Sequence, residues 1–115
     1  MKKLSESLIE NKKSKFIGIM YEISSAEEVT SILNELKKEH KKARHICYAY
    51  KIGNISKKSD DKEPGGTAGK PILDVIEFNN LSNTLIVVIR YFGGTLLGRG
   101  LLTRSYSNAA SSLIK

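Results

Sequence analysis

Apolar and polar positions alternate from Lys15 to Ile23, with Ile17, Ile19, Tyr21 and Ile23 on one side. That period of two predicts a strand with one buried face. The period then lengthens. Val29, Ile32, Leu33 and Leu36 recur at helical spacing, and Ser24-Ser25-Ala26-Glu27-Glu28 precedes them with two overlapping capping-box pairs, Ser24 with Glu27 and Ser25 with Glu28. This helix runs into Lys37, Lys38, Lys41, Lys42 and Arg44, and cations at that end oppose the negative pole of the helix dipole. Alternation returns from Arg44 to Ile52. Ile46, Tyr48, Tyr50 and Ile52 face one way, and His45, Cys47 and Ala49 the other. Gly53-Asn54 is a hairpin turn signal, so Ile55 to Ser59 is predicted to return antiparallel as a short strand.

The segment from Asp60 to Pro71 contains two prolines and three glycines and reads as a structured loop. Pro71 fits the first turn of a second helix, where its missing N–H costs little. Ile72, Leu73, Val75 and Ile76 supply that helix's apolar side, and Asn79-Asn80 punctuates its end. Leu85-Ile86-Val87-Val88-Ile89 is an unbroken apolar run, β-branched from Ile86 onward, and predicts a buried central strand. A third helix begins near Leu101, with Leu102, Tyr106, Ala109, Ala110 and Leu113 as its packing stripe. The order β-α-β-β-α-β-α predicts an α+β, two-layer fold: a four-stranded mixed sheet with helices on one face.

A chain of 115 residues is expected to form one domain over 1–115. Its formal net charge of +7 makes RNA, DNA or a phosphorylated ligand a partner to consider, although excess lysine also serves solubility. Cys47 is the one cysteine, so no internal disulfide forms and a reducing cytoplasm is the expected location. The apolar runs are too short to span a bilayer and no leader pattern opens the chain, so no membrane association is expected.

Candidate chemistry concentrates in two segments. Asp60, Asp61 and Glu63 could ligate a hard cation, cap the following turn, or pair with Arg90 and Arg99. Gly66, Thr67 and Lys70 follow in a glycine-rich stretch reminiscent of a phosphate loop. Lys70 precedes Pro71 rather than a serine or threonine, which rejects a Walker site. The second segment runs Arg90-Tyr91-Phe92-Gly93-Gly94-Thr95-Leu96-Leu97-Gly98-Arg99-Gly100. A strand that ends in a glycine-punctuated loop before a helix leaves backbone N–H groups exposed, and Arg90, Arg99 and Arg104 add charge around them. His45 and Cys47, two apart on one strand face, are too few for structural zinc and have no second pair. No nucleophile–base pair and no serine elbow is recognisable. These residues imply no catalytic group, cofactor or metal. The candidate ligand or partner surface is Asp60, Asp61, Glu63, Gly66, Thr67, Lys70, Arg90, Tyr91, Gly93, Gly94, Gly98, Arg99 and Arg104.

The two segments together, Asp60-Asp61-x-Glu63-Pro64-x-Gly66-Thr67-Ala68-Gly69-Lys70-Pro71-Ile72-Leu73 and Val87-Val88-Ile89-Arg90-Tyr91-Phe92-Gly93-Gly94-x-x-Leu97-Gly98, strongly resemble the N-terminal domain of the IMPACT/YigZ family. The resemblance runs from about Ser14 to the end. It implies a fold like the second domain of a small-subunit ribosomal protein. Bacterial members usually continue into a ferredoxin-like domain and eukaryotic ones place another domain before this one; the chain is expected to have neither. The resemblance implies a non-enzymatic binding or regulatory domain linked to translation, with RNA or a ribosome-associated protein as partner. The competing expectation is an enzyme acting on a phosphorylated or nucleotide substrate, with the carboxylates as metal or proton-transfer groups and Arg90 as a clamp. The acidic loop and the Arg90 loop are expected to meet at one edge of the domain, and Cys47 is expected to be buried.

Overall fold

A computed structural model describes residues 1–115. The elements in chain order are β1 (Lys2–Asn11), β2 (Ser14–Glu22), α1 (Ala26–Glu39), β3 (His45–Ile52), β4 (Ile55–Ser59), α2 (Gly69–Phe78), β5 (Thr84–Tyr91) and α3 (Gly98–Ser111). The strands form one sheet in the order β1-β2-β5-β3-β4, and each neighbouring pair is antiparallel.

The fold is α+β, but the sheet has five strands rather than four, and it is antiparallel rather than mixed. β1 escapes the hydrophobic pattern because three of its four inward positions, Ser5, Ser7 and Asn11, are polar and only Ile9 packs on the core. Ser5 and Ser7 donate to the carbonyls of Leu113 (2.9 Å) and Ala109 (2.7 Å), and the Asn11 amide donates to Ser105 Oγ (2.7 Å). The large apolar side chains Leu4 and Leu8 of this edge strand are exposed on its outward face. Satisfied hydrogen bonds here take the place that apolar contacts hold in the other strands. A strand–helix–strand unit runs its two strands in the same direction. β2 and β3 are so aligned, but β5 inserts between them and runs against both.

The helices also lie on both faces rather than on one. α1 covers Ile19, Ile23, Ile46, Tyr50, Leu85, Val87 and Ile89 with Val29, Ile32 and Leu36. α2 and α3 cover Phe16, Cys47, Ala49, Ile86 and Val88 on the other side. β5 is therefore buried on both faces, which is why its sequence is a continuous apolar run and not an alternating one. The alternation in β2 and β3 sorts as expected. Ile17, Ile19, Tyr21 and Ile23 turn to α1 with Ile46, Tyr48, Tyr50 and Ile52, while Cys47 and Ala49 turn to α2 and α3.

Local signals hold. The Ser25 hydroxyl caps α1 by accepting from the Glu28 N–H (3.2 Å), and the Glu28 carboxylate accepts from the Ser24 N–H (2.8 Å). Gly53 turns the β3–β4 hairpin with φ of 57°. Leu102, Tyr106, Ala109, Ala110 and Leu113 are all buried. α3 lies so close to β2 that a Cβ at Gly18 would come within 2.8 Å of the Ala109 carbonyl.

A buried Glu–Arg–Tyr network beneath a cationic loop cluster

The antiparallel register brings the start of β2, the end of β5, the start of β3 and the end of β4 to one end of the sheet. The loop after β4 then crosses that end and delivers Glu63 to Arg90. Arg90 Nη1 donates to Glu63 Oε2 (2.8 Å) and Oε1 (3.0 Å), and the two residues are only 5% and 6% exposed. Tyr106 on α3 donates its hydroxyl to Glu63 Oε2. His45 Nε2 lies 3.4 Å from Glu63 Oε1, and its Nδ1–H donates to the Asp61 carbonyl (2.7 Å). Taking a carboxylate and a guanidinium out of water is costly, and only this density of hydrogen bonds offsets it. The Arg90 guanidinium lies between Phe16 and Phe92, 5.6 and 5.8 Å from their ring centres. Its Nε has no hydrogen-bond partner.

The other two acidic residues are also engaged internally. Asp60 accepts from the N–H groups of Gly66 (3.0 Å), Ala68 (3.2 Å) and Gly69 (2.8 Å), and so caps the start of α2. Burial opposes its ionisation, but the three donors outweigh burial and hold its pKa below the usual value. Asp61 accepts from the Ile46 N–H (2.7 Å) and pins the loop to β3. Of the expected roles, turn capping is Asp60's and arginine pairing is Glu63's. No group of three or more His, Cys, Asp or Glu side chains is arranged to hold a metal ion.

Cys47 is fully buried, as expected. Its thiol lies 3.2 Å from the Asp60 carbonyl and 3.4 Å from the Tyr106 hydroxyl. Burial raises the pKa of both the thiol and the Tyr106 phenol far above their ordinary values. Neither is primed as a nucleophile.

The remaining candidate residues divide. Thr67 is buried and donates to the Pro64 carbonyl (2.6 Å). Lys70 leaves the cluster, pairs with Asp74 (3.0 Å) and lines a separate groove of about 830 Å³ between α2 and α3. The Tyr91 hydroxyl lies 2.6 Å from His40 Nδ1, tying β5 to the end of α1. Gly93 sits against the β1–β2 turn, where a Cβ would collide with the Lys13 backbone. Its N–H donates to Ser14 Oγ (3.1 Å). Gly94 and Gly98 adopt positive φ of 95° and 75°. Arg99 donates to the Gly65 carbonyl (2.6 Å) and bridges the two motif segments. Arg104 is exposed one turn further along α3. The expected meeting of the acidic and Arg90 loops is therefore observed. The expectation of Arg90 as a ligand clamp needs correction, because its guanidinium is enclosed by Glu63, Phe16 and Phe92.

A profile of the Impact N-terminal domain matches residues 12–114. IMPACT family member YvyE of Bacillus subtilis is 42% identical over 96% of this chain and 52% of its own length. This chain belongs to the IMPACT family. IMPACT family member YigZ of Escherichia coli is 35% identical over 92% of the chain and 54% of its own. The chain spans about half the length of these curated relatives. The crystal structure of a hypothetical protein superposes with a TM-score of 0.92 at 32% identity, covering 99% of this chain and 61% of that one. A structure of the two-domain translational regulator Yih1 matches with a TM-score of 0.60 at 25% identity, over 93% of this chain and 44% of that one.

In this IMPACT domain the buried network supports an exposed rim that sequence reasoning did not assemble. Arg44 lies 4.5 Å over the Phe92 ring, and its N–H donates to the Arg90 carbonyl (2.8 Å). Lys12 and Lys13 form the β1–β2 turn against Gly93, Lys41 and Lys42 lead into Arg44, and Lys62 sits between Asp61 and Glu63. All are exposed, and none has a carboxylate within the 4.0 Å of an ion pair. Ser14, whose Oγ accepts from Arg90 Nη2 (3.5 Å), was likewise missed as a member of the network, as were His45 and Tyr106. The alternation had placed His45 on the correct face of its strand, but only strand pairing sets it opposite Arg90.

Proposed function

We propose that this domain is a non-catalytic binding module in the regulation of translation, and that it holds RNA on the cationic rim. The observation that carries the reading is the separation of charge. The carboxylates of the acidic loop are consumed in internal bonds, while Lys13 and Arg44 lie against the Phe92–Gly93 loop and their chain neighbours Lys12, Lys41 and Lys42, with Lys62 of the acidic loop, are exposed and unpaired. Unneutralised cations beside an aromatic ring and a glycine loop suit phosphate contact and base stacking. Kinship with a translational regulator supplies the translation context. A reaction on a phosphorylated substrate would need carboxylates free to hold metal or move a proton, and Asp60, Asp61 and Glu63 are not free in this arrangement.

Fluorescence anisotropy with labelled single- and double-stranded RNA over a range of salt tests the reading. Weak, poorly sequence-selective binding that falls steeply as salt rises is expected. Absence of association at low salt would remove RNA and leave a translation-associated protein as the partner.

A further inference from the structure

The two faces of the sheet are covered unequally. α2 and α3 share one face, whereas α1 alone lies on the other. The register sets Lys3 opposite Tyr21, Glu6 opposite Ile19 and Leu8 opposite Ile17, so these residues share the α1 face. α1 does not reach across them. Leu8 is 60% exposed, and a cavity of about 380 Å³ opens between α1 and the β1–β2 half of the sheet, floored by Ile17, Ile19 and Tyr21.

Three carboxylates line this groove in a chain of net charge +7, beside Lys3, His40 and Met1, whose amino group pairs with Glu28. Glu35 and Glu39 stand one turn apart on α1, and Glu6 faces them from β1. Lys3 pairs with Glu6, but no cation lies within ion-pair distance of Glu35 or Glu39. Like charges at this spacing repel on a helix. Tyr21 lines the same cavity, and its pKa is raised by burial and then by Glu39 and Glu6.

We propose that this face docks a cationic amphipathic helix of a partner protein. Its apolar side lies on Leu8, Ile17 and Tyr21 alongside α1, and its lysine or arginine side chains meet Glu35 and Glu39. The occupant is a helix because the open half of this face corresponds to the strip that a second helix fills on the opposite face. It is cationic because Glu35 and Glu39 on the α1 wall have no cation within ion-pair distance. An apolar floor rimmed by polar residues is the form of a helix-in-groove site. This surface is distinct from the cationic rim and does not depend on RNA binding there.

The test is a displayed library of helical peptides, randomised at the apolar stripe and at its flanks, selected on the full chain. Selection is run in parallel on the chain carrying Leu8→Asp, Glu35→Lys and Glu39→Lys. These positions are exposed, and thermal melting confirms that the variant folds. The expected winners place Lys or Arg beside the apolar stripe, shift backbone amides of β1, β2 and α1, and weaken about tenfold or more on Glu35→Lys with Glu39→Lys. The proposal is overturned by winners without excess positive charge, by equal enrichment on both proteins, or by amide shifts confined to the α2–α3 groove. Concentration-dependent self-association through this face, read by sedimentation, would also overturn it by assigning the groove to a second copy.

Discussion

Glu63 Oε2 and Arg90 Nη1 lie 2.8 Å apart in the interior, although the two residues are separated by 27 positions in the chain. The pair joins the loop after β4 to the end of the central strand, and Tyr106 clamps both to α3 through the same carboxylate oxygen. It lies beneath the proposed binding surface and shapes that surface from within.

Removing one partner strands a buried charge. Arg90→Ala or Glu63→Ala is expected to destabilise the domain by about 3–5 kcal/mol, read as a shift in the urea unfolding midpoint. The pair Arg90→Met with Glu63→Leu, which removes both charges and keeps volume, is expected to be more stable than either alanine variant. Simple additivity of the two losses would show that the residues do not act as a unit.

Asp60 links stability to acid. Its pKa is below the usual 3.8 in the folded state, so its contribution is present above the unfolded pKa and is lost as pH falls through the folded value. Asp60→Asn replaces one of two accepting oxygens with an NH2 group and is expected to cost about 1–3 kcal/mol at neutral pH, with the gap to the parent narrowing as pH falls through the folded pKa of Asp60. Chemical denaturation at a series of pH values checks this. A gap that is constant across the range would mean that the carboxylate charge contributes nothing.

Cys47 is expected to resist a thiol reagent in the native protein and to react at once in denaturant, since burial both shields it and keeps it protonated. Tyr106→Phe leaves Glu63 short of one donor and is expected to cost about 1–3 kcal/mol, with faster Cys47 labelling as the second readout. Rapid labelling of the unmodified chain would contradict the enclosed position of the thiol.

RNA affinity is expected to depend on the rim and not on charge at large. Lys13→Ala with Arg44→Ala removes cations beside Phe92 and Gly93, whereas Lys37→Ala with Lys38→Ala removes two near the end of α1. The first pair should weaken binding more and lower the salt slope by about 0.7–0.9 per lost phosphate contact. Equal losses from both pairs would mean that the charge acts diffusely and that the glycine loop is not the site.

Seven of the eight elements are legible in the sequence because each carries its own periodicity or turn chemistry. Alternation marks β2 and β3, Gly53-Asn54 marks the hairpin to β4, Ser25 and Glu28 open α1, and the stripe from Leu102 to Leu113 defines α3. The two motif segments also identified the family and were correctly expected to meet. β1 was hidden because all but Ile9 of its inward side chains are serine and asparagine, whose burial depends on carbonyls and hydroxyls supplied by α3 and the residues after it.

What the sequence determined alone was local: period, capping, turns, and the apolar continuity of β5. Which strands flank β5, which faces the helices cover, and whether a charged residue lies inside or outside were settled only by tertiary structure. Asp60, Asp61 and Glu63 read alike in the sequence, each open to cation ligation, turn capping or arginine pairing. Long-range packing sends one to a helix start, one to a strand backbone and one into the interior against Arg90. The lysines of the β1–β2 turn and the arginine before β3 became neighbours in the same way. The physical reason is that backbone period and capping act over a few residues, whereas the energy of a buried charge depends on the donors and rings that distant segments place around it.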